Sequence, residues 1–247
     1  MRAIAATLLA MGVLAAARPA AASTLSVAPI RVELSSATRT AVITVRNQED
    51  AAVVVQARPA SWSQHEMQDQ LDDTRDLLVT PPLFTVPPKG QQVLRIALLR
   101  EPDPGRELDY RLVLSEGPSP TATESTGLRV ALRITLPVFV SPVARAAPEL
   151  AWSHSLLPDG TLEVAAHNRG SAHIQILDFE VQDAEKSEHA GAPLRTEGAR
   201  YLLPGSSAQW QLHPGAGQPP RAAGALIIKG HSDAGDFTVT SSPGAPQ

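Results

Sequence analysis

Alternating or β-branched apolar runs recur along the whole chain, separated by turn-forming residues. They cover Thr24–Leu34, Arg39–Arg46, Ala52–Arg58, Gln91–Leu98, Leu108–Leu114 and Leu128–Val140. A second series covers Leu162–Ala166, Ile174–Val181, Arg200–Leu203, Ala208–Leu212, Gly224–Lys229 and Phe237–Thr240. A period of two makes one face of an extended strand apolar and the other polar. Short strands at this spacing predict an all-β chain built as sandwiches, not a parallel sheet. With 22 prolines there is little room for long helices; the one helix-compatible piece is Gln64–Asp73, equally a polar loop. The pattern is strongest at Leu128–Pro142, where Leu128, Val130, Leu132, Ile134 and Leu136 alternate with Arg129, Ala131, Arg133 and Thr135. Pro137 has no N–H to give to a ladder, which predicts a strand at a sheet edge. A long apolar edge is an aggregation liability, unless it serves to add a strand to another protein.

A boundary is expected near Val143–Glu149, a stretch with no periodicity. An internal echo crosses it. Val42–Asn47 leads through a short polar turn into Val53-Val54-Val55, and Leu162–Asn168 leads through another into His173–Ile176. Both read as strand, Asn turn, strand. The predicted division is residues 1–22, 23–143, a linker at 144–149, and 150–247 with a frayed tail from Ser241.

The first segment changes the setting. Met1-Arg2, the Ala/Leu-rich run Ala3–Ala17 and Ala20-Ala21-Ala22 read as a secretory signal peptide, too short for a membrane anchor. No later run approaches the roughly 20 apolar residues of a span. Its removal would take Arg2 and Arg18, leaving 19 basic against 25 acidic residues, a net charge of −6. An acidic chain without a basic cluster argues against nucleic acid as partner. With no cysteine there are neither disulfides nor thiolate metal sites. About 225 remaining residues must therefore be held by apolar cores alone, enough for one large or two ordinary domains.

Catalytic patterns are thin. There is no Gly-x-Ser-x-Gly elbow and no Gly-rich phosphate loop. His65-Glu66 is followed by Asp69 where a zinc protease needs its second His. His167 and His173 flank a turn, and surface polarity accounts for them better than metal binding. Asp72, Asp73 and Asp76 lack the ligand series of a calcium loop. No enzyme activity, metal or cofactor is expected. Trp62, read on a loop, is the one aromatic candidate for a ligand-binding face, with core packing favoured.

Several segments, in order, resemble the periplasmic pilus (fimbrial) assembly chaperones. They are Leu25–Val32, Val45-Arg46-Asn47, Thr80–Gly90 leading into Val93-Leu94-Arg95-Ile96, Asp109–Glu116, and Leu128–Pro142. The match runs from Ser23 to about Pro142 and is loose beyond it. The last run is nearest to the branch serving archaic pili with spore-coat-like subunits.

The resemblance implies two immunoglobulin-like sandwiches in an L, with a cleft between them, acting in the periplasm. It implies pilin subunits and an outer-membrane usher as partners. A pilin lacks its final strand, and the chaperone lends an edge strand to fill the gap. That role would fall to Val130, Leu132, Ile134 and Leu136, with Leu128 at the mouth. Periodicity alone favours an interior strand packing its own core; the resemblance turns the reading toward donation. The family also anchors the subunit's terminal carboxylate with an Arg and a Lys. Arg31 sits at the Arg position, but the Lys position falls on Pro137. Arg95 and Arg133 are the favoured substitutes beside Arg31, with Arg129 a further one. The mobile segment expected between donor hairpin strands is Gly117–Gly127. The competing readings are an exported structural or adhesive sandwich subunit and a ligand-binding module.

Overall fold

The computed structural model describes residues 25–117, 131–184, 192–196, 198–213 and 224–244. The expected signal peptide, Leu128, Val130 and nearly all of Gly117–Gly127 lie outside them. The described residues form strands and no helix. No helix is long and apolar enough to cross a membrane.

Ten strands build the first sandwich: β1 (Leu25–Ala28), β2 (Val32–Leu34), β3 (Thr40–Asn47), β4 (Val53–His65), β5 (Gln68–Asp73), β6 (Leu77–Thr80), β7 (Leu83–Val86), β8 (Gln91–Leu98), β9 (Leu108–Glu116) and β10 (Arg133–Val140). One sheet runs β1-β3-β8-β6, the other β2-β10-β9-β4-β5, with β7 also beside β4. Alternation decides which side chains face inward. Ile43 and Val45, Leu94 and Ile96, Leu112 and Leu114, and Val138 and Val140 meet in one buried core.

Eight strands build the second: β11 (Leu150–Leu156), β12 (Leu162–Asn168), β13 (Ile174–Asp183), β14 (Leu194–Thr196), β15 (Arg200–Leu202), β16 (Ser207–Leu212), β17 (Leu226–Ser232) and β18 (Gly235–Pro243). Their order is β14-β13-β17-β18-β11-β12-β16, with β15 also on β13. The short parallel β11–β18 pairing is the fold line. Both arms close over a core in which Trp152 touches Phe179, Trp210 and Phe237.

The sequence echo has a physical counterpart. Asn47 and Asn168 are both buried. Each uses its side-chain oxygen to accept the N–H two residues on, from Glu49 and Gly170. Each donates its amide to the carbonyl four residues on, of Ala51 and Ala172. Each also reaches a carbonyl across the sandwich, of Val86 and Leu202. The same amide staples the turn after an equivalent strand in both halves.

Three expectations need correction. The tail does not fray at Ser241: that residue is buried and pairs with Leu226, and Ser242 and Pro243 pair with β11, because the strand is held on both sides. Thr24–Leu34 is not one strand: it breaks at Pro29–Arg31, so β1 pairs with β3 while β2 crosses to lie parallel to β10. Large apolar residues fall at 25 and 27 before the break and at 30, 32 and 34 after it, so the alternation changes parity at the break. Gln64–Asp73 is neither helix nor loop but the β4–β5 hairpin. Its two-residue turn, Glu66 and Met67, has φ of 48° and 63°. Such primed turns usually announce themselves by Asn-Gly, and this one does not.

Candidate functional site

The edge of β10 is the first part of the site. β10 pairs with β9 along its whole length, Arg133↔Ser115 to Val140↔Leu108. On its other side β2 covers only Val138–Val140. Among the described residues no strand pairs with Arg133–Pro137 there. Backbone parity identifies which groups are free. The Ser141 N–H donates to Leu34 on the β2 side, while the Leu132 carbonyl accepts from Glu116 on the β9 side. Odd-numbered residues thus point N–H and C=O toward β2 and the open edge, and even-numbered ones toward β9. Arg133 and Thr135 present free ladder groups. Pro137 stands where an N–H would face the edge, so nothing is lost. Pro59 in β4 follows the same rule: it lies between the stretches covered by β7 and β5.

The even-numbered side chains grade inward along the strand. Leu132 and Ile134 are half-buried, and Leu136 is buried in the first core at 4% exposure. Ile134 packs on that core from outside. Arg133 and Thr135 are exposed on the opposite face, and Pro137 and Phe139 continue that face into the interface between the halves.

The interface is the second part. Trp62, Phe139 and Leu203 are buried together, with Leu71 and Tyr201 against them. Trp62 is therefore not on a loop: it lies in β4 at 4% exposure. Polar contacts flank the aromatic cluster. The Gln64 side chain donates to the Tyr201 carbonyl at 3.0 Å and accepts from the Leu203 N–H at 3.0 Å. Arg106 donates to the Pro204 carbonyl at 2.5 Å.

Arg31 sits at the break between β1 and β2, which swings it to this interface. It donates to Asp233, in the β17–β18 turn, at 2.6 Å and pairs with Glu33 at 2.9 Å. Its guanidinium carbon is 5.1 Å from the Phe139 ring centre. Burial opposes its charge, yet Asp233 and Glu33 outweigh that and raise its pKa. The His173 ring also stacks on Phe139, at 3.5 Å and 6°. His173 Nδ1 is 2.5 Å from Glu107, and Nε2 is 3.6 Å from Asp233. Burial works against a charged His173, but hydrogen bonds to Asp233 and Glu107 raise its pKa. Asp233 is pulled low: burial alone would raise it, but His173, the Gln175 N–H and Arg31 all favour its anion. Asp109 goes the other way, pushed up to about 8 by burial and by Glu107 beside it. Ligand atoms of Glu107, Asp109 and His173 come within 4.8 Å of one another. The direct His173–Glu107 bond ties the two halves together at this group. His167 is elsewhere, bonded to Ser207.

The expected cations are thus dispersed. Arg31 is in the cleft. Arg133 lies on the cleft-facing side of β10 but four residues before Pro137, roughly 13 Å along the strand. Arg95 is not brought to the site. Its neighbours Leu94 and Ile96 point into the core, so Arg95 is exposed on the outer face of the other sheet, paired across from Val42. Strand membership was legible for Arg95; the sheet to which that strand belongs was not.

Arg111 was missed by the sequence reading. It lies in β9 directly across from Pro137. Its guanidinium carbon is 3.5 Å from the Trp62 ring centre and 5.4 Å from that of Tyr201. Alternation on β9 was readable, but the aromatic partners come from β4 and β15, distant in sequence.

Comparison with known proteins supplies the context. Residues 24–145 match the family described as pili and flagellar-assembly chaperone, PapD N-terminal domain. Chaperone protein FaeE of Escherichia coli is 40% identical over 94 residues, 36% of each chain. The alignment thus spans about a third of that relative's length. Three solved structures share the fold of two immunoglobulin-like domains. A chain of the Acinetobacter baumannii CsuC–CsuE chaperone–tip subunit pre-assembly complex, from archaic Csu pili, has a TM-score of 0.65 at 16% identity, covering 90% of this chain and 100% of that one. The Salmonella enterica SafA pilin–SafB chaperone complex gives 0.57 at 18%, with 90% and 97% covered. The Pseudomonas aeruginosa CupB2 chaperone gives 0.54 at 21%, with 87% and 97% covered.

Proposed function

From the match of residues 24–145 to the pilus and flagellar-assembly chaperones, we propose that the whole chain is a periplasmic chaperone for pilus subunits. It holds an incomplete subunit by lending the open edge of β10 and passes it to an outer-membrane usher. The subunits are of the spore-coat-like type of archaic pili. The activity is binding, not catalysis.

The observation that carries this reading is the uncovered edge at Arg133–Pro137, with half-buried Leu132 and Ile134 beside it. Backbone groups of Arg133 and Thr135 are free to extend the ladder into another chain. Each new backbone hydrogen bond is worth roughly 0.5–1.5 kcal/mol net. Covering the rest of each half-buried aliphatic side chain adds about 1 kcal/mol. In this reading Leu128, Val130, Leu132 and Ile134 fill successive positions of the subunit's groove. Leu136 fastens the strand to the chaperone's own core. Arg31 takes the subunit's terminal carboxylate at the cleft. The two sandwiches would divide at the linker 144–149, with the leader 1–22 removed on export.

The test is co-purification. The tagged chain is expressed in the periplasm with the pilin genes of its own source, and the intact mass of the eluate is recorded. A one-to-one complex with a secreted subunit, lost in Leu132→Glu, is the expected result. Elution of the wild-type chain alone, with the subunits equally soluble without it, would overturn the reading.

A further inference from the structure

We infer that Glu107, Asp109 and His173 form a binding site for one divalent transition-metal ion of the zinc class, placed so that the ion bridges the two sandwiches. The inference stands on these residues and does not depend on the chaperone reading.

The first observation is placement. Glu107 directly precedes β9 and Asp109 lies in it, so the extended chain turns both carboxylates to one face. That face meets the second half. Asp109 is the cross-strand partner of Phe139, whose ring stacks on His173. His173 directly precedes β13, in the second sandwich. One ligand atom from each of the three lies within 4.8 Å of the others. Nitrogen and oxygen ligands sit at about 2.0–2.2 Å from a zinc ion, hence within about 4.4 Å of one another. Small side-chain rotations close the set.

The second is an unmet demand. The side chains of Glu107 and His173 are each 7% exposed. Asp109 Oδ1 is buried and has no hydrogen-bond partner among the described residues. Two carboxylates thus stand together out of water, and among the described residues their one ion-pair partner is His173. The arginines that act on this group through space are bonded elsewhere: Arg31 to Asp233 and Glu33, Arg106 to the Pro204 carbonyl. Buried carboxylates without a firm cation are costly to keep. A divalent ion held by two carboxylates and a neutral imidazole makes a unit with no net charge.

The third is the support behind the imidazole. His173 Nδ1 faces Glu107 at 2.5 Å and is the ligand nitrogen, while Nε2 faces Asp233 at 3.6 Å. Asp233 is itself fixed, by Arg31 at 2.6 Å and by the Gln175 N–H at 2.8 Å. Ligating histidines turn their second nitrogen to a carboxylate or carbonyl, which sets tautomer and ring orientation. One imidazole with two carboxylates suits zinc and its neighbours. Calcium and magnesium favour larger shells of oxygen alone. Bound here, the ion joins β9 of the first half to the start of β13 in the second and fixes the angle between them.

The experiment takes the tag-free chain from the periplasm, strips it of metal with EDTA and titrates it with zinc chloride alone by calorimetry. The expected result is saturation at one ion per chain. The unfolding temperature should rise by about 5 °C or more at zinc a hundredfold above its Kd. Asp109→Asn is expected to weaken binding tenfold or more. His231, beside Asp178 and Asp236, is the other histidine among carboxylates, and His231→Gln is expected to leave the affinity unchanged. No binding by the wild-type chain, an unchanged affinity in Asp109→Asn, or a loss in His231→Gln overturns the assignment. A further readout needs no variant, should Asp109→Asn fold poorly: zinc is expected to move the ring-nitrogen NMR signals of His173, and movement confined to other histidines counts against the site.

Discussion

The two ends of β10 belong to one strand and live in different surroundings: apolar and polar residues alternate over Arg133–Leu136, whereas Pro137–Val140 is apolar throughout. At Val138–Val140 the strand is held on both sides, by β9 and β2, and its side chains are buried to 1% exposure or less. At Arg133–Pro137 it is held on one side only, and Ile134 rests half-buried on the margin of the core. One end is ordinary interior and the other an uncovered edge. The difference arises because the chain breaks at Pro29–Arg31, so that β2 supplies just three residues of cover. A protein that normally hides its edges has here one that a short strand leaves open.

The largest expected effect breaks the covered end. Val138→Asp places a carboxylate in the first core, with no partner, and should cost about 4 kcal/mol or more. Thermal unfolding would show loss of the cooperative transition. If this variant stays folded and Leu132→Glu does not, the assignment of interior and edge is reversed. Leu132→Glu, at the open end, should lower stability by only about 1 kcal/mol, while abolishing subunit capture in the co-purification. Thr135→Pro is subtler. It removes one edge N–H and leaves side-chain packing alone, so capture should fall by roughly 2- to 10-fold with the fold retained. Unchanged capture would mean that the backbone edge is not the surface used.

The smallest effect concerns the interface into which β10 runs. Asp109, raised to about 8 by burial and Glu107, stays protonated in the folded chain at pH values where an unfolded Asp, near 3.9, is ionised. A raised native pKa gives a contribution that is full below the unfolded value and fades as pH climbs through the native one. His173, also raised, acts with the same sign above pH 6.5. Asp233, lowered, contributes above about pH 4 and loses that only as acid protonates it. The unfolding temperature should therefore decline from pH 6 to pH 9, and Asp109→Asn should flatten part of the decline. An identical slope in that variant would remove Asp109 from the account.

Much of this was legible before any coordinates. Alternation at Leu128–Val140 and the proline at 137 named the edge strand, because a missing N–H is tolerated only where no partner waits. The paired Asn turns were readable, because a buried amide that staples a turn leaves the same short signature in both halves. The charged residues of the cleft were read less well. Arg31 was placed by likeness to a family, but Arg95 proved to face away, and Arg111 and Asp233 were not singled out. His173, weighed as a surface residue, is instead packed between the halves. The helix-compatible reading of Gln64–Asp73 failed for a related reason. A primed turn made by Glu66 and Met67 is sustained by the hairpin around it, not by its own residues.

Period-two patterning, with its turns and prolines, by itself determined the all-β class and the inward face of most strands. That information is local, since a side chain's face follows from its parity within its own strand. Tertiary structure alone decided which sheet each strand joins, how much of β10 is covered, and which charges meet across the two halves. Those depend on pairings between residues as far apart as Arg31 and Asp233, or Trp62 and Tyr201. No short-range pattern encodes such a meeting, because it is the packing of two sandwiches that brings the partners together.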